Sequence, residues 1–149
     1  MRKGVLEMIS TRGRYALRVM IDLAEHQTEG YIPLKEIAER QEISEKYLEN
    51  ILKTLVQNRL LAGVRGKGGG YRLTCPPEEY TVGSVLRLTE VGMAPVACLE
   101  PNAQPCPRVA TCRTLPMWKE FNTVMNNYFD GVTLADLLAS DNGGNDYII

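Results

Sequence analysis

The apolar positions of this chain fall into helical periods over most of its length. From Ser10, the residues Tyr15, Val19, Met20 and Leu23 recur at three- and four-residue steps, predicting a helix that ends near His26. "TEGYIP" breaks that pattern, and Pro33 stands where a short helix can start, with Leu34, Ile37 and Ala38 as its inner face. That helix stops around Gln41. Ser44 then supplies an N-cap and Glu45 a favourable first-turn charge for a longer helix. Its core face is Leu48, Ile51, Leu52 and Leu55, spaced i, i+3, i+4, i+7. A short link between two helices, the second longer, is the helix-turn-helix arrangement.

The period then changes. "LLAGVR" reads as the end of a helix followed by a short strand and "YRL" as a second strand, around a glycine-rich turn, "GVRGKGGGYRL" at 63–73, with five glycines and the basic residues Arg65, Lys67 and Arg72. This loop is not a nucleotide cradle. A phosphate loop needs Ser or Thr directly after its lysine, and Lys67 is followed by Gly68. A dinucleotide fingerprint starting at Gly66 would need glycine where Tyr71 stands, and both motifs need a helix afterwards to receive the anion. A basic hairpin after a helix-turn-helix makes a winged helix. The fold class expected is mainly α, a winged helix-turn-helix with a long C-terminal dimerisation helix.

Charge supports this reading. The chain of 149 residues has a net charge of −1. Residues 1–75, however, carry 13 Lys and Arg against 9 Asp and Glu, while residues 76–149 carry 4 against 9. The basic half points to a polyanion partner for the first part of the chain alone. On the predicted recognition helix, Glu45, Lys46, Tyr47, Glu49, Asn50 and Lys53 lie off the core face. Asn can pair with adenine, Glu can accept from cytosine, and Lys can reach guanine or phosphate. In the wing, Arg65 and Lys67 can enter a minor groove or clasp phosphate. No apolar run reaches the ~18–20 residues of a membrane span, and the chain reads as cytoplasmic.

The second half holds a different chemistry. "TVGSVLRLTEV" at 81–91 predicts a short amphipathic helix, and residues 92–114 then lose all periodicity. Four of the eight prolines fall between Pro95 and Pro107, and three cysteines, Cys98, Cys106 and Cys112, are spaced C-x7-C-x5-C. An irregular stretch of this length inside a compact chain is functional or disordered, and three thiols on it argue for function. They suit an iron–sulfur cluster or a set of free thiols, including a regulatory disulfide. Structural zinc fits poorly, since no tight cysteine pair exists and the only histidine is the distant His26. For the same reason a thiol nucleophile has no evident base, and no enzyme is expected. Cys75, at the exit of the hairpin, reads as structural. The chain then returns to helix through "LPMWKEFNTVMNNYFDG", where Trp118, Phe121, Met125, Tyr128 and Phe129 make a wide aromatic face suited to pairing with a second copy, and Val132–Leu138 forms a final short helix.

The segments "MISTRGRYALRVMIDLA" (8–24), "IPLKEIAERQEISEKYLENILKTLVQNRLLAGVRGKGGGYRL" (32–73) and "VTLADLL" (132–138) closely resemble the Rrf2 family of bacterial transcription regulators, and the "VRGxGGGY" wing is specific to it. The resemblance implies a dimeric winged helix whose C-terminal helices cross. It implies DNA contacts from Ser44, Lys46, Tyr47, Glu49 and Asn50, with Arg65 from the wing. It places Cys98, Cys106 and Cys112 where the cluster-bearing members keep three cysteines, in a family that also has a cluster-free cysteine-metabolism repressor. Two departures stand out. The first cysteine interval is two residues longer than the commoner C-x5-C-x5-C, and Leu115 occupies the position where the iron–sulfur biogenesis regulator has a histidine. The fourth ligand, and with it the choice between [2Fe-2S] and [4Fe-4S], stays open.

The expected organisation is an N-terminal extension at 1–7, a winged helix-turn-helix at 8–80, a cysteine loop with dimerisation helices at 81–139, and a flexible tail at 140–149. The expected protein is a homodimeric regulator of a double-stranded DNA operator, a repressor. An iron–sulfur cluster would switch its affinity; the alternative is a cluster-free regulator governed by thiol oxidation or by a regulatory protein partner.

Overall fold

The computed structural model describes residues 8–27 and 29–140; the extension at 1–7 and positions 141–149 of the tail lie outside the described residues. Six α-helices and one hairpin follow in the order α1 (Thr11–Glu25), α2 (Leu34–Gln41), α3 (Glu45–Gln57), β1 (Leu61–Val64), β2 (Gly70–Leu73), α4 (Val82–Thr89), α5 (Leu115–Gly131) and α6 (Leu134–Ala139). The mainly helical winged fold expected from the periodicity is the fold observed. The helix starts obey local chemistry. Ser10 caps α1 by accepting from the Gly13 N–H, and Ser44 caps α3 by accepting from the Tyr47 N–H. Thr81 and Thr133 each form a capping box, with Ser84 and Asp136 respectively. Glu42 ends α2 in the left-handed region and so turns the chain sharply toward α3.

The core lies where α1, α2 and α3 meet. Ala16, Val19, Met20 and Leu23 of α1, Ile37 of α2, and Leu48, Ile51, Leu52 and Leu55 of α3 are buried together. Each large side chain removed from water there contributes roughly 1.5–3 kcal/mol. The core does not stop at the wing: Val85 of α4 and Leu134 of α6 belong to the same cluster. Backbone pairing draws those late helices back, because the Val82 N–H donates to the Val132 carbonyl and the Leu134 N–H to that of Tyr80.

The hairpin is antiparallel, pairing Leu61 with Leu73 and Val64 with Gly70. Ile32, just before α2, adds a bridge to its outer edge through reciprocal hydrogen bonds with Tyr71 of 2.8 and 2.9 Å. That bridge explains Gly70: its φ is 147°, and a Cβ there would stand 2.1 Å from the Ile32 carbonyl oxygen. At the hairpin's exit Tyr80 is buried, its hydroxyl donating to the Leu60 carbonyl and accepting from the Thr74 and Cys75 N–H groups. Cys75 packs against the core, in keeping with its structural reading.

The helix α5 is the exception to this packing. Met125 alone is buried in its 17 residues. Arg87 of α4 holds it at the base, pairing with Asp130 at 2.6 Å and Asn126 at 3.0 Å. Met117, Phe121, Val124 and Tyr128, at steps of four, three and four, stay exposed. Among the described residues no helix is long and apolar enough to cross a membrane.

Candidate nucleic-acid interface and thiol loop

The amphipathic spacing of α3 fixes which of its side chains remain outside. With Leu48, Ile51, Leu52 and Leu55 turned inward, Ser44, Lys46, Tyr47, Glu49 and Asn50 are all exposed at its N-terminal end. The hairpin carries Arg65 and Lys67 exposed at its tip, and the cleft it makes with α3 reaches Glu49. It turns on Gly66, whose φ of 94° suits a residue without a Cβ. Between α3 and the wing runs a cleft of about 570 Å³ lined by Glu49, Lys53, Val64, Arg65 and Tyr71. Burial, and after it the charge of Glu49, push the Tyr71 hydroxyl above its ordinary pKa.

Three of these side chains are not free rotors. Ser44 accepts from the Tyr47 N–H at 3.2 Å, which leaves its hydroxyl proton to donate outward. The Tyr47 ring meets Tyr15 of α1 edge-on, with centroids 5.8 Å apart. Asn50 accepts from Arg12 of α1 at 2.5 Å, and the same guanidinium donates to the Thr54 hydroxyl at 2.6 Å. Arg12, Tyr15 and Arg18 thus form one stripe of α1 that braces the helix-turn-helix; Arg18 stacks over Tyr15 and donates to the Gln41 side chain and carbonyl. Asp22 extends the stripe. It is buried, accepts from Arg40 at 2.7 and 3.0 Å and from Gln41 at 2.8 Å, and so fastens the last turn of α2 to α1. Sequence reading missed this stripe. Tyr15 reads as part of the apolar face, and the polar Arg12, Arg18 and Asp22 beside it read equally well as a solvated face.

The loop 92–114 is irregular, as expected, apart from a 3-10 turn at Ala97–Leu99. Cys98 lies exposed in that turn, Cys106 and Cys112 are half-buried, and all three thiols are free. A hydrogen bond from the Thr114 hydroxyl, aided by the Thr114 and Leu115 N–H groups and by Arg108, holds the Cys112 thiol below its ordinary pKa. Among the described residues, no three His, Cys, Asp or Glu side chains are gathered closely enough to hold a metal ion. At the loop's entrance, Glu90 receives hydrogen bonds from the Ser10 N–H and hydroxyl (3.1 and 2.9 Å), which ties it to the start of α1.

The sequence profile of Rrf2, described as an iron-dependent transcriptional regulator, matches residues 9–140. The chain belongs to the Rrf2 family. It is 35% identical over 133 residues to the HTH-type transcriptional regulator IscR of Aliivibrio salmonicida, covering 89% of this chain and 78% of that one. It is 39% identical over 130 residues to protein rrf2 of Nitratidesulfovibrio vulgaris, covering 87% and 86%. Among solved structures it is similar to CymR, the global cysteine regulator of B. subtilis, with a TM-score of 0.71 and 34% identity over 92% of this chain and 100% of that one. The oxidised form of Staphylococcus aureus CymR superimposes with a TM-score of 0.69 at 33% identity, covering 89% and 97%. This Rrf2 chain is therefore a transcriptional regulator and not an enzyme, as the lack of a base for any thiol nucleophile led one to expect.

Proposed function

We propose that this Rrf2 regulator acts in the cytoplasm as a homodimer that binds a double-stranded DNA operator and represses from it, with the three-cysteine loop setting its affinity. The observation that carries the reading is the exposed N-terminal end of α3, whose Glu49 shares a cleft with the exposed basic wing. A recognition helix reads base edges from its N-terminal residues while wing cations hold the backbone. Ser44, Lys46, Tyr47, Glu49 and Asn50 take the first role, and Arg65 and Lys67 the second. Residues 8–80 make the reading unit and residues 81–139 the sensing and pairing unit. The exposed stripe Met117, Phe121, Val124 and Tyr128 is the surface two copies share. Half-sites then lie one or two helical turns apart, roughly 34 Å per turn.

The loop's donor chemistry suits an iron–sulfur cluster, because Cys98, Cys106 and Cys112 offer three thiols and the family profile is iron-dependent. Its geometry as folded does not gather them. That observation, together with a relative solved in an oxidised form, favours a second reading in which the thiols themselves are the sensor. Either event reaches α3 by a short route. Glu90 precedes the loop and holds Ser10, and two residues on, Arg12 holds Asn50 and Thr54. A switch of this kind works only if its two states differ in operator affinity.

Anaerobic purification with an absorbance spectrum and iron and sulfide analysis tests the sensor. Visible absorption with stoichiometric iron and sulfide, lost on Cys106→Ala, supports the cluster; a colourless, iron-free protein after reconstitution leaves the thiols. Binding to duplex DNA is tested by salt. The logarithm of affinity should fall by about 0.9 per neutralised phosphate for each decade of salt, and Arg65→Ala or Lys67→Ala should each lower that slope by about one. A flat response to salt would remove the DNA reading.

A further inference from the structure

We infer that Arg12 decides which base edge Asn50 can read, by locking its side-chain amide with the donor outward. The inference rests on the proposal that α3 reads DNA. A guanidinium carries only donors, so the Asn50 atom that faces Arg12 at 2.5 Å is the carbonyl oxygen Oδ1. The second arm of the same guanidinium is held by the Thr54 hydroxyl at 2.6 Å, one helical turn further along α3. A planar fork pinned at two points cannot swing with the amide, so exchanging the ends of Asn50 would set its NH2 against an obligate donor. The base of Arg12 is fixed as well, since the first turn of α1 is capped by Ser10, itself held by Glu90. Asn50 is exposed, and the group left to face outward is Nδ2, a donor.

That orientation discriminates between bases. In the major groove adenine and guanine offer the N7 acceptor, guanine adds O6, and thymine offers O4, whereas cytosine offers only its N4 donor. A locked Asn50 therefore rejects cytosine on the strand it touches. An unlocked amide can turn over and accept from cytosine N4 through Oδ1. Arg12 is then a positioning residue for specificity without itself touching the base.

The experiment is selection from a randomised duplex library, followed by competition with single-base variants of the selected site. The position read by Asn50 is the one whose preference disappears in Asn50→Ala. In the wild type, cytosine there should lower affinity about tenfold or more. In Arg12→Ala the loss should shrink to about threefold or less, with preferences at the other positions kept. Asn50→Asp keeps an acceptor for Arg12 and hence the fold, but presents no donor, so it should come to favour cytosine. Three results overturn the inference: cytosine rejected as strongly in Arg12→Ala as in the wild type, cytosine still rejected by Asn50→Asp, or no preference lost in Asn50→Ala. A wild type that selects no sequence at all overturns the DNA reading, and this inference falls with it.

Discussion

Asp22→Asn tests how the helix-turn-helix is held in place. Asp22 is a fully covered carboxylate that accepts three short hydrogen bonds, two from Arg40 and one from Gln41. Asparagine has the same shape but no charge, and its NH2 must meet either the guanidinium or the Gln41 amide, both donors. Stranding one member of a wholly buried ion pair costs about 3–5 kcal/mol. Arg40 keeps 30% of its side chain in contact with water and has Glu36 at 3.6 Å, so it is partly compensated. The expected loss is about 2 kcal/mol, close to that of one charged hydrogen bond. For a chain of this size it lowers the melting temperature by about 4–8 °C.

The pH dependence supplies a second arm. Burial raises the pKa of Asp22, but the hydrogen bonds from Arg40 and Gln41 and the Arg40 charge outweigh it, and the carboxyl sits below its ordinary value of 3.8. A depressed acid contributes stability that is present above the unfolded pKa and lost as pH falls through the folded one. Urea unfolding of wild type and variant from pH 7 to pH 3 should show a gap that is constant down to about pH 5 and then narrows. No gap at pH 7, or a gap unchanged at pH 3, would refute the assignment of this stability to the charged pair.

Two further outcomes follow from the packing. Val124→Glu places a charge in the middle of the exposed α5 stripe, where Val124 is 60% exposed in the single chain. It should leave the helical circular dichroism unchanged and convert the proposed dimer to a monomer in analytical ultracentrifugation; a variant still dimeric would remove α5 from the pairing surface. Gly70→Ala forces a Cβ to 2.1 Å from the Ile32 carbonyl and demands a strained φ. It should lower stability by roughly 2 kcal/mol or more in chemical denaturation and weaken operator binding through a displaced wing; unchanged unfolding would show the Ile32 bridge to be dispensable.

Much of this molecule was legible in its sequence because the deciding physics is local. Helical period, the cap at Ser44, and the glycine-rich turn at 63–73 depend on residues a few positions apart, and the structure places those elements as predicted. The same period showed which side of α3 must face outward, and that side carries Ser44, Lys46, Tyr47, Glu49 and Asn50. What only the tertiary structure decided are contacts between residues far apart in the chain. The bond from Arg12 to Asn50 spans 38 positions, that from Ser10 to Glu90 spans 80, and the bridge from Ile32 to Tyr71 explains why Gly70 is glycine. Hydrophobic periodicity says that a side chain is polar and outward, but not whether water or another helix meets it. For Arg12, Arg18 and Asp22 the answer is another helix, because α2 and α3 fold back across the polar edge of α1, which braces the helix-turn-helix.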